Sequence, residues 1–130
     1  MPLHGNAMRT TVLLMESTPA VRTRVAAVLD AAGFNVIATE SPYAAWTTLE
    51  ARSDVRVLLA DLDVSDAVGG LELARKVHDR WPSLGLVITS NHVRHLRPSD
   101  IPGDGCFLPR PLPEETLLQE VARAADQVAA

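Results

Sequence analysis

The apolar residues of this chain gather into five short, nearly continuous runs, TVLLM, FNVIA, VRVLLA, LGLVIT and CFLP, separated by longer stretches. A strand with one wet face alternates apolar with polar residues, whereas these runs hardly alternate, so each is expected to be covered on both faces. Helices packed on the two sides of a parallel sheet meet that demand when strand and helix take turns along the chain. The pattern therefore predicts an α/β domain built on a five-stranded parallel sheet.

The intervening stretches carry helix signals. From about Pro19, residues Val21, Val25, Val28, Leu29 and Ala32 form one stripe that stops at Gly33. SPYAAWTTLEA opens with Ser41 as N-cap and Pro42 at the first helical position. GLELARKVHDRW lines up Leu71, Ala74, Val77 and Trp81 and ends before Pro82, with Gly69-Gly70 read as turn punctuation ahead of it. PEETLLQEVARAADQVA closes the chain with acids in its first turn, where the helix dipole favours them. The fourth crossover, NHVRHLRPSDIPGDG, is different: Pro98 and Pro102 exclude a regular helix, so this crossover is expected to be mostly loop, with at most a short turn over His92 to Leu96.

With 130 residues, 47% of them hydrophobic, the chain has enough apolar surface for one core, and residues 9–130 read as one domain preceded by a disordered extension over 1–8. The helical pattern reaches the last residue, so a single module is expected to do the work. A net charge of -4 without a basic stripe argues against nucleic acid or an anionic membrane as partner. One cysteine and no membrane-length apolar run make a soluble, cytoplasmic protein the default expectation.

In an open parallel sheet all strand C-terminal ends share one edge, and ligands bind there. The residues following the apolar runs are Glu16 and Ser17, Asp61 and Asp63, Thr89 and Ser90, and Arg110 before Pro111. Carboxylates suit a hard divalent cation, and an Asp61 oxygen attacking phosphorus would find phosphoryl-binding donors in Thr89 and Arg110. The residue types point to a carboxylate presented for phosphorylation.

Over about Arg9 to Val128 the sequence resembles the receiver domains of bacterial two-component response regulators. The resemblance rests on VLLMESTPAVR, VLLADLDVSDAVGGLELARKV, LVITSN and CFLPRP, in that order and spacing. It implies a flavodoxin-like (βα)5 doubly wound sheet of order 2-1-3-4-5, its fourth helix short or broken. It further implies Asp61 as phosphoacceptor from a histidine kinase or histidine phosphotransfer protein, Thr89 as switch hydroxyl, Phe107 as switch aromatic, and a cis Arg110-Pro111 bond. A weakly held Mg²⁺ is implied on Glu16, Asp61 and the backbone carbonyl of Asp63. Such a module is a signalling domain, not an enzyme beyond its own phosphoryl transfer, and works through contacts with a downstream protein or a second copy of itself.

Three departures bear on function. Ser17 stands where receivers carry a second acid, which weakens the metal site. Arg110 stands where they carry Lys, and its planar fork is expected to pair with Asp61 at rest. The proline-broken fourth crossover removes much of the family's output face. A pseudo-receiver that takes no phosphate, because Ser17 and Arg110 degrade the pocket, is the alternative. A flavin-binding relative of the same architecture is disfavoured by Glu16 and by 4% aromatic content.

Simpler roles exist for several of these residues. Ser17 or Thr18 would serve as a helix cap. His92 and His95 have helical metal spacing but no third ligand nearby, and with Arg94 and Arg97 read as a solvated loop. Cys106 reads as inert core, and Trp46 and Trp81 as packing residues.

Overall fold

Proline at a first helical position, serine at an N-cap and glycine after a last turn are the local signals that cut this chain into elements, and the computed structural model, which describes residues 9–63 and 67–129, obeys them. In chain order the elements are β1 (Thr11–Met15), α1 (Pro19–Ala31), β2 (Asn35–Thr39), α2 (Pro42–Ala51), β3 (Val55–Asp61), α3 (Ala67–Arg80), β4 (Gly85–Ser90), a 3-10 turn (Pro98–Asp100), β5 (Cys106–Pro109) and α4 (Glu114–Ala129). Residues 1–8, expected to be an extension, lie outside the described residues.

All five strands are parallel and run in the order β2-β1-β3-β4-β5. This is the flavodoxin-like, doubly wound arrangement expected from the sequence. On one face Leu13, Met15, Leu58, Ala60 and Leu86 meet Ala45 and Leu49 of α2 and Leu73 and Val77 of α3. On the other, Val12, Leu14, Val57, Leu59 and Val87 meet Val25 and Leu29 of α1 and Leu117, Val121 and Ala124 of α4. Adjacent strand residues thus go to opposite helical layers, which is why the strand sequences do not alternate. The edge strands β2 and β5 are only partly covered.

Ser41 caps α2 as expected, its hydroxyl accepting from the Ala44 N–H at 3.1 Å. Trp46 and Trp81 meet edge to face, ring centroids 4.9 Å apart, and bind α2 to the end of α3. The fourth crossover is loop, and its one turn falls at Pro98–Asp100, not at His92 to Leu96. Asp100 explains the shift, because its carboxylate accepts from the Arg97 N–H at 3.1 Å and closes the turn that Pro98 begins. Val93, Leu96 and Ile101 of that loop, together with Phe107, pack against Leu62, Ala74 and Ile88. Apolar side chains on a loop thus cover the surface that a fourth helix would cover.

A second difference concerns α3, which begins at Ala67, so Gly69 and Gly70 belong to the helix instead of preceding it. Gly70 is there for proximity: a Cβ would lie 2.8 Å from the Leu62 Cα and 3.0 Å from the Leu62 carbonyl oxygen. Backbone cannot yield as a side chain tip can, so the helix approaches the end of β3 only through a glycine. Gly70→Ala gains roughly 1 kcal/mol of helix propensity, yet is expected to destabilise the protein by about 1–3 kcal/mol net through overpacking. A lower urea midpoint checks this.

Candidate functional site at the C-terminal edge of the sheet

Glu16 follows β1, Asp61 ends β3, Thr89 lies in β4 opposite Asp61, and Arg110 follows β5. Counting by twos, Glu16 continues the series Val12, Leu14; Asp61 the series Val57, Leu59; Thr89 follows Val87; and Arg110 follows Leu108. Each of those series packs on the α1/α4 layer. The two-residue strand period therefore directs all four side chains to one side of the sheet at one end. That shared parity is present in the sequence and was the signal available for grouping them.

Arg110 donates from Nη2 to Glu16 Oε1 at 2.9 Å, and this ion pair is nearly closed to solvent, its side chains 13% and 1% exposed. The guanidinium thus pairs with Glu16, not with Asp61 as the sequence led one to expect. The reason is reach and company. Strands β1 and β5 are three spacings apart, roughly 14 Å at about 4.8 Å per strand. A link from one to the other has to cross the ends of β3 and β4, over Asp61 and Thr89. Arg110 passes close enough to lower the Asp61 pKa by its charge, while making its direct bond to Glu16.

Glu16 is held from several sides. Its Oε2 accepts from the Thr18 N–H at 3.2 Å, and its own N–H donates to the Thr39 carbonyl at 3.0 Å. Arg22 donates to the Glu16 carbonyl at 2.9 Å. Thr18 takes the N-cap position of α1 without the side-chain cap bond expected of it, and its own N–H donates to the Glu16 carboxylate. Ser17 is exposed.

Asp61 was expected to stand open at the rim, but it is 4% exposed. Burial pushes its carboxyl up to about 6 from an ordinary 3.8, with the Glu16 charge adding to the rise and the Asp63 N–H and Arg110 opposing it. The Asp63 N–H donates to Asp61 Oδ1 at 3.1 Å. Its electrostatic partners at this end are Glu16, Arg110 and Asp63. Thr89 is 1% exposed, and its Oγ1 is buried with no hydrogen-bond partner. An unsatisfied buried hydroxyl costs about 1–3 kcal/mol, a cost that an arriving acceptor would remove. Thr89 and Arg110 also line a cleft of about 390 Å³ between α1 and the start of α4, together with Val25 and Leu117.

Asp63 has a role that the sequence did not disclose. Its Oδ1 accepts from the Ser90 hydroxyl at 2.7 Å and its Oδ2 from the Asn91 N–H at 2.7 Å, with His92 Nδ1 at 3.3 Å. Burial raises its pKa, but those three partners outweigh it and hold the carboxyl below its usual range. Ser90 Oγ in turn accepts from the N–H groups of His92 and Val93 at 3.0 and 2.9 Å. The end of β3 is thereby tied to the loop after β4. Arg94, read as a solvated cation, donates to the Arg110 carbonyl at 2.6 Å and so steadies the residue that crosses the site. No spacing rule points to a contact between a loop side chain and a carbonyl sixteen residues on. The Arg110-Pro111 bond is cis, as the resemblance implied. Phe107 lies in the small cluster under the fourth crossover. Burial, with Glu120 adding, pushes the Cys106 thiol up to about 11, so it stays protonated at neutral pH.

No family model matches the chain. It is 30% identical over 113 residues to the sensor protein TorS of Escherichia coli and 28% identical over 126 residues to the C4-dicarboxylate transport transcriptional regulatory protein DctD of Pseudomonas aeruginosa. Those matches take in 85% and 91% of this chain but only 12% and 26% of the two relatives. Among solved structures, a response regulator receiver protein from Sinorhizobium medicae superposes with a TM-score of 0.84 at 21% identity, over 94% of this chain and 98% of that one. The fold is that of response regulator receivers.

Because the folded carboxyl of Asp61 titrates near 6 and the unfolded one near 3.8, the native state binds more protons between those values, and stability falls as pH rises through that window. Above it the ionised acid opposes folding by on the order of 3 kcal/mol. Asp61→Asn is expected to raise stability by about 2 kcal/mol near pH 8 and to lose most of that advantage near pH 4. Urea midpoints at the two pH values check both halves.

Proposed function

From the receiver fold that this chain shares with response regulators, we propose that it accepts a phosphoryl group on Asp61 and signals through protein contacts. The observation that carries this reading is the buried, unpartnered Thr89 hydroxyl opposite Asp61 in the sheet. A donor of hydrogen bonds without an acceptor, next to an acid at the ligand-binding edge of a parallel sheet, suits an incoming oxyanion.

In the transfer, an Asp61 carboxylate oxygen bonds to phosphorus as the bond to the donor's leaving group breaks. The leaving group, the imidazole of a histidine kinase or phosphotransfer protein or the acetate of acetyl phosphate, departs with the electron pair. Thr89 donates to one phosphoryl oxygen and Arg110 to the others. The added charge then pulls on Thr89 in β4 and on the Asp63–Ser90–Asn91 contacts that tie β3 to the following loop, and Phe107 beneath that loop shifts with it. The partners this implies are a kinase or phosphotransfer protein upstream and a downstream protein, with a second copy of the chain as another candidate, all in the cytoplasm. On this reading the protein is a signalling domain and catalyses no more than its own modification.

A divalent cation usually assists such transfers and needs free carboxylate and carbonyl oxygens. Here the Glu16 oxygens go to Arg110 and to the Thr18 N–H, and Ser17 supplies no acid. Glu16 and Ser17 therefore do not fit a resident Mg²⁺.

A second reading is favoured by two specific observations: Arg110 is already neutralised by Glu16, and Asp61 is 4% exposed. On that reading the chain is a pseudo-receiver that binds partners without being phosphorylated. Incubation with acetyl phosphate separates the two. The phosphoacceptor reading expects one phosphoryl mass increment, lost in Asp61→Asn, whereas an unmodified wild-type mass selects the pseudo-receiver.

A further inference from the structure

The positive charge at this edge comes from within the chain. Glu16 is 1% exposed and both its oxygens have internal partners, one of them the Arg110 guanidinium at 2.9 Å. Both Asp63 oxygens are likewise occupied, by Ser90 and by Asn91 with His92. A divalent cation entering here would find no free oxygen on Glu16 or on the Asp63 carboxylate, and would share the edge with the Arg110 guanidinium, whose like charge repels it. Arg110 uses Nη2 on Glu16, and a guanidinium has five N–H donors in a planar fork. Donors therefore remain on Arg110 to meet an oxyanion, beside the free Thr89 hydroxyl.

We infer that Arg110, held across the site by Glu16, takes the place of a divalent cation, so that this edge binds a phosphoryl-type oxyanion without metal and Glu16 sets its affinity by competing for the guanidinium. The inference rests on the reading of this edge as a phosphoryl site. It adds that Arg110 and the uncharged Ser17 act together at this edge. With a second acid after β1 and no internal cation, the site would need a metal. With Glu16 neutralised by Arg110 and Ser17 uncharged, it does not.

Beryllofluoride, which mimics an acyl phosphate by bonding its beryllium to a carboxylate oxygen in place of water, is the probe. Its binding is followed by the fluorine resonance of the adduct and by the Nε–H resonance of Arg110 in the full chain. The wild-type protein is expected to bind it with the same affinity, within about twofold, in excess EDTA and in millimolar Mg²⁺, with the Arg110 resonance shifting in both. Glu16→Gln keeps the shape but removes the competing charge, and is expected to tighten binding about tenfold, again without regard to Mg²⁺. Binding that tightens more than about tenfold on adding Mg²⁺ would overturn the inference while leaving Asp61 as a phosphoacceptor. An unchanged affinity in a folded Glu16→Gln protein would remove Glu16 as the competitor and overturn it as well. No adduct with either protein in either condition would overturn the phosphoryl reading itself. Should Glu16→Gln fail to fold, the wild-type comparison with and without Mg²⁺ still decides.

Discussion

The ion pair between Arg110 and Glu16 joins the residue after the last strand to the residue after the first, ninety-four positions apart, over the ends of the two strands between them. Everything else at this end of the molecule is arranged around it. A buried pair of this kind contributes little relative to a well-packed apolar pair. Removing one partner, however, strands a charge, at a cost of about 3–5 kcal/mol. Its structural consequence is thus to fix the order in which strand ends may approach each other: Glu16 beneath Arg22 and Thr18, Arg110 beneath Arg94, and Asp61 with Thr89 enclosed between. The low exposure of Asp61 follows from this bridge as well as from depth within the sheet.

Coupling away from the site runs through Asp63. That residue lies beyond the strand, yet its carboxylate accepts from the Ser90 hydroxyl and the Asn91 N–H, which ties the end of β3 to the loop after β4. Below them Leu62 meets Gly70 of α3 and packs with Ile88 and Phe107. The loop that replaces a fourth helix is fastened to this group by Val93, Leu96 and Ile101. A helix would span this crossover with its own ladder of backbone bonds, whereas a loop depends on such side-chain anchors and on short-range contacts such as Asp100 with Arg97. The crossover tied to Asp63 is also the one with the least regular backbone.

How far the sequence announced all this depends on the kind of information involved. Apolar runs and capping residues are local, and they carried the number of strands, the position of α2 at Pro42 and the loop character of the fourth crossover. Parallel topology then assigned Glu16, Asp61, Thr89 and Arg110 to one edge. What remained hidden was set by competition among neighbours. The pairing of Arg110 with Glu16 over Asp61 depends on which of two acids lies better in line with a side chain crossing two strands, and on the amide that already supports Glu16. The place of Gly70 within α3 reflects an interelement distance that overrides the usual reading of paired glycines. Leu73, omitted from the expected stripe, is buried because it lies four residues before Val77 on the same helical face. The Arg94 bond to the Arg110 carbonyl links a loop to a cis peptide and leaves no trace in either segment's pattern.

Charge accounting gives the site its character. Glu16, Asp61 and Asp63 bring three acids to one edge, and the cation that spans it is Arg110. Asp63 is held by hydrogen bonds from Ser90 and Asn91 with His92 nearby, and Glu16 is paired with the guanidinium, while burial pushes the Asp61 carboxyl up. An oxyanion on Asp61 would place further negative charge in the same small volume. The fold can tolerate it only by withdrawing cationic character from Glu16 or by importing a cation from outside. The first route costs part of a buried ion pair; the second brings a metal against a guanidinium and finds both Glu16 oxygens already taken. Because a planar fork can serve two acceptors at once, the first route requires only a shared bond, and the balance of physical cost lies with Arg110.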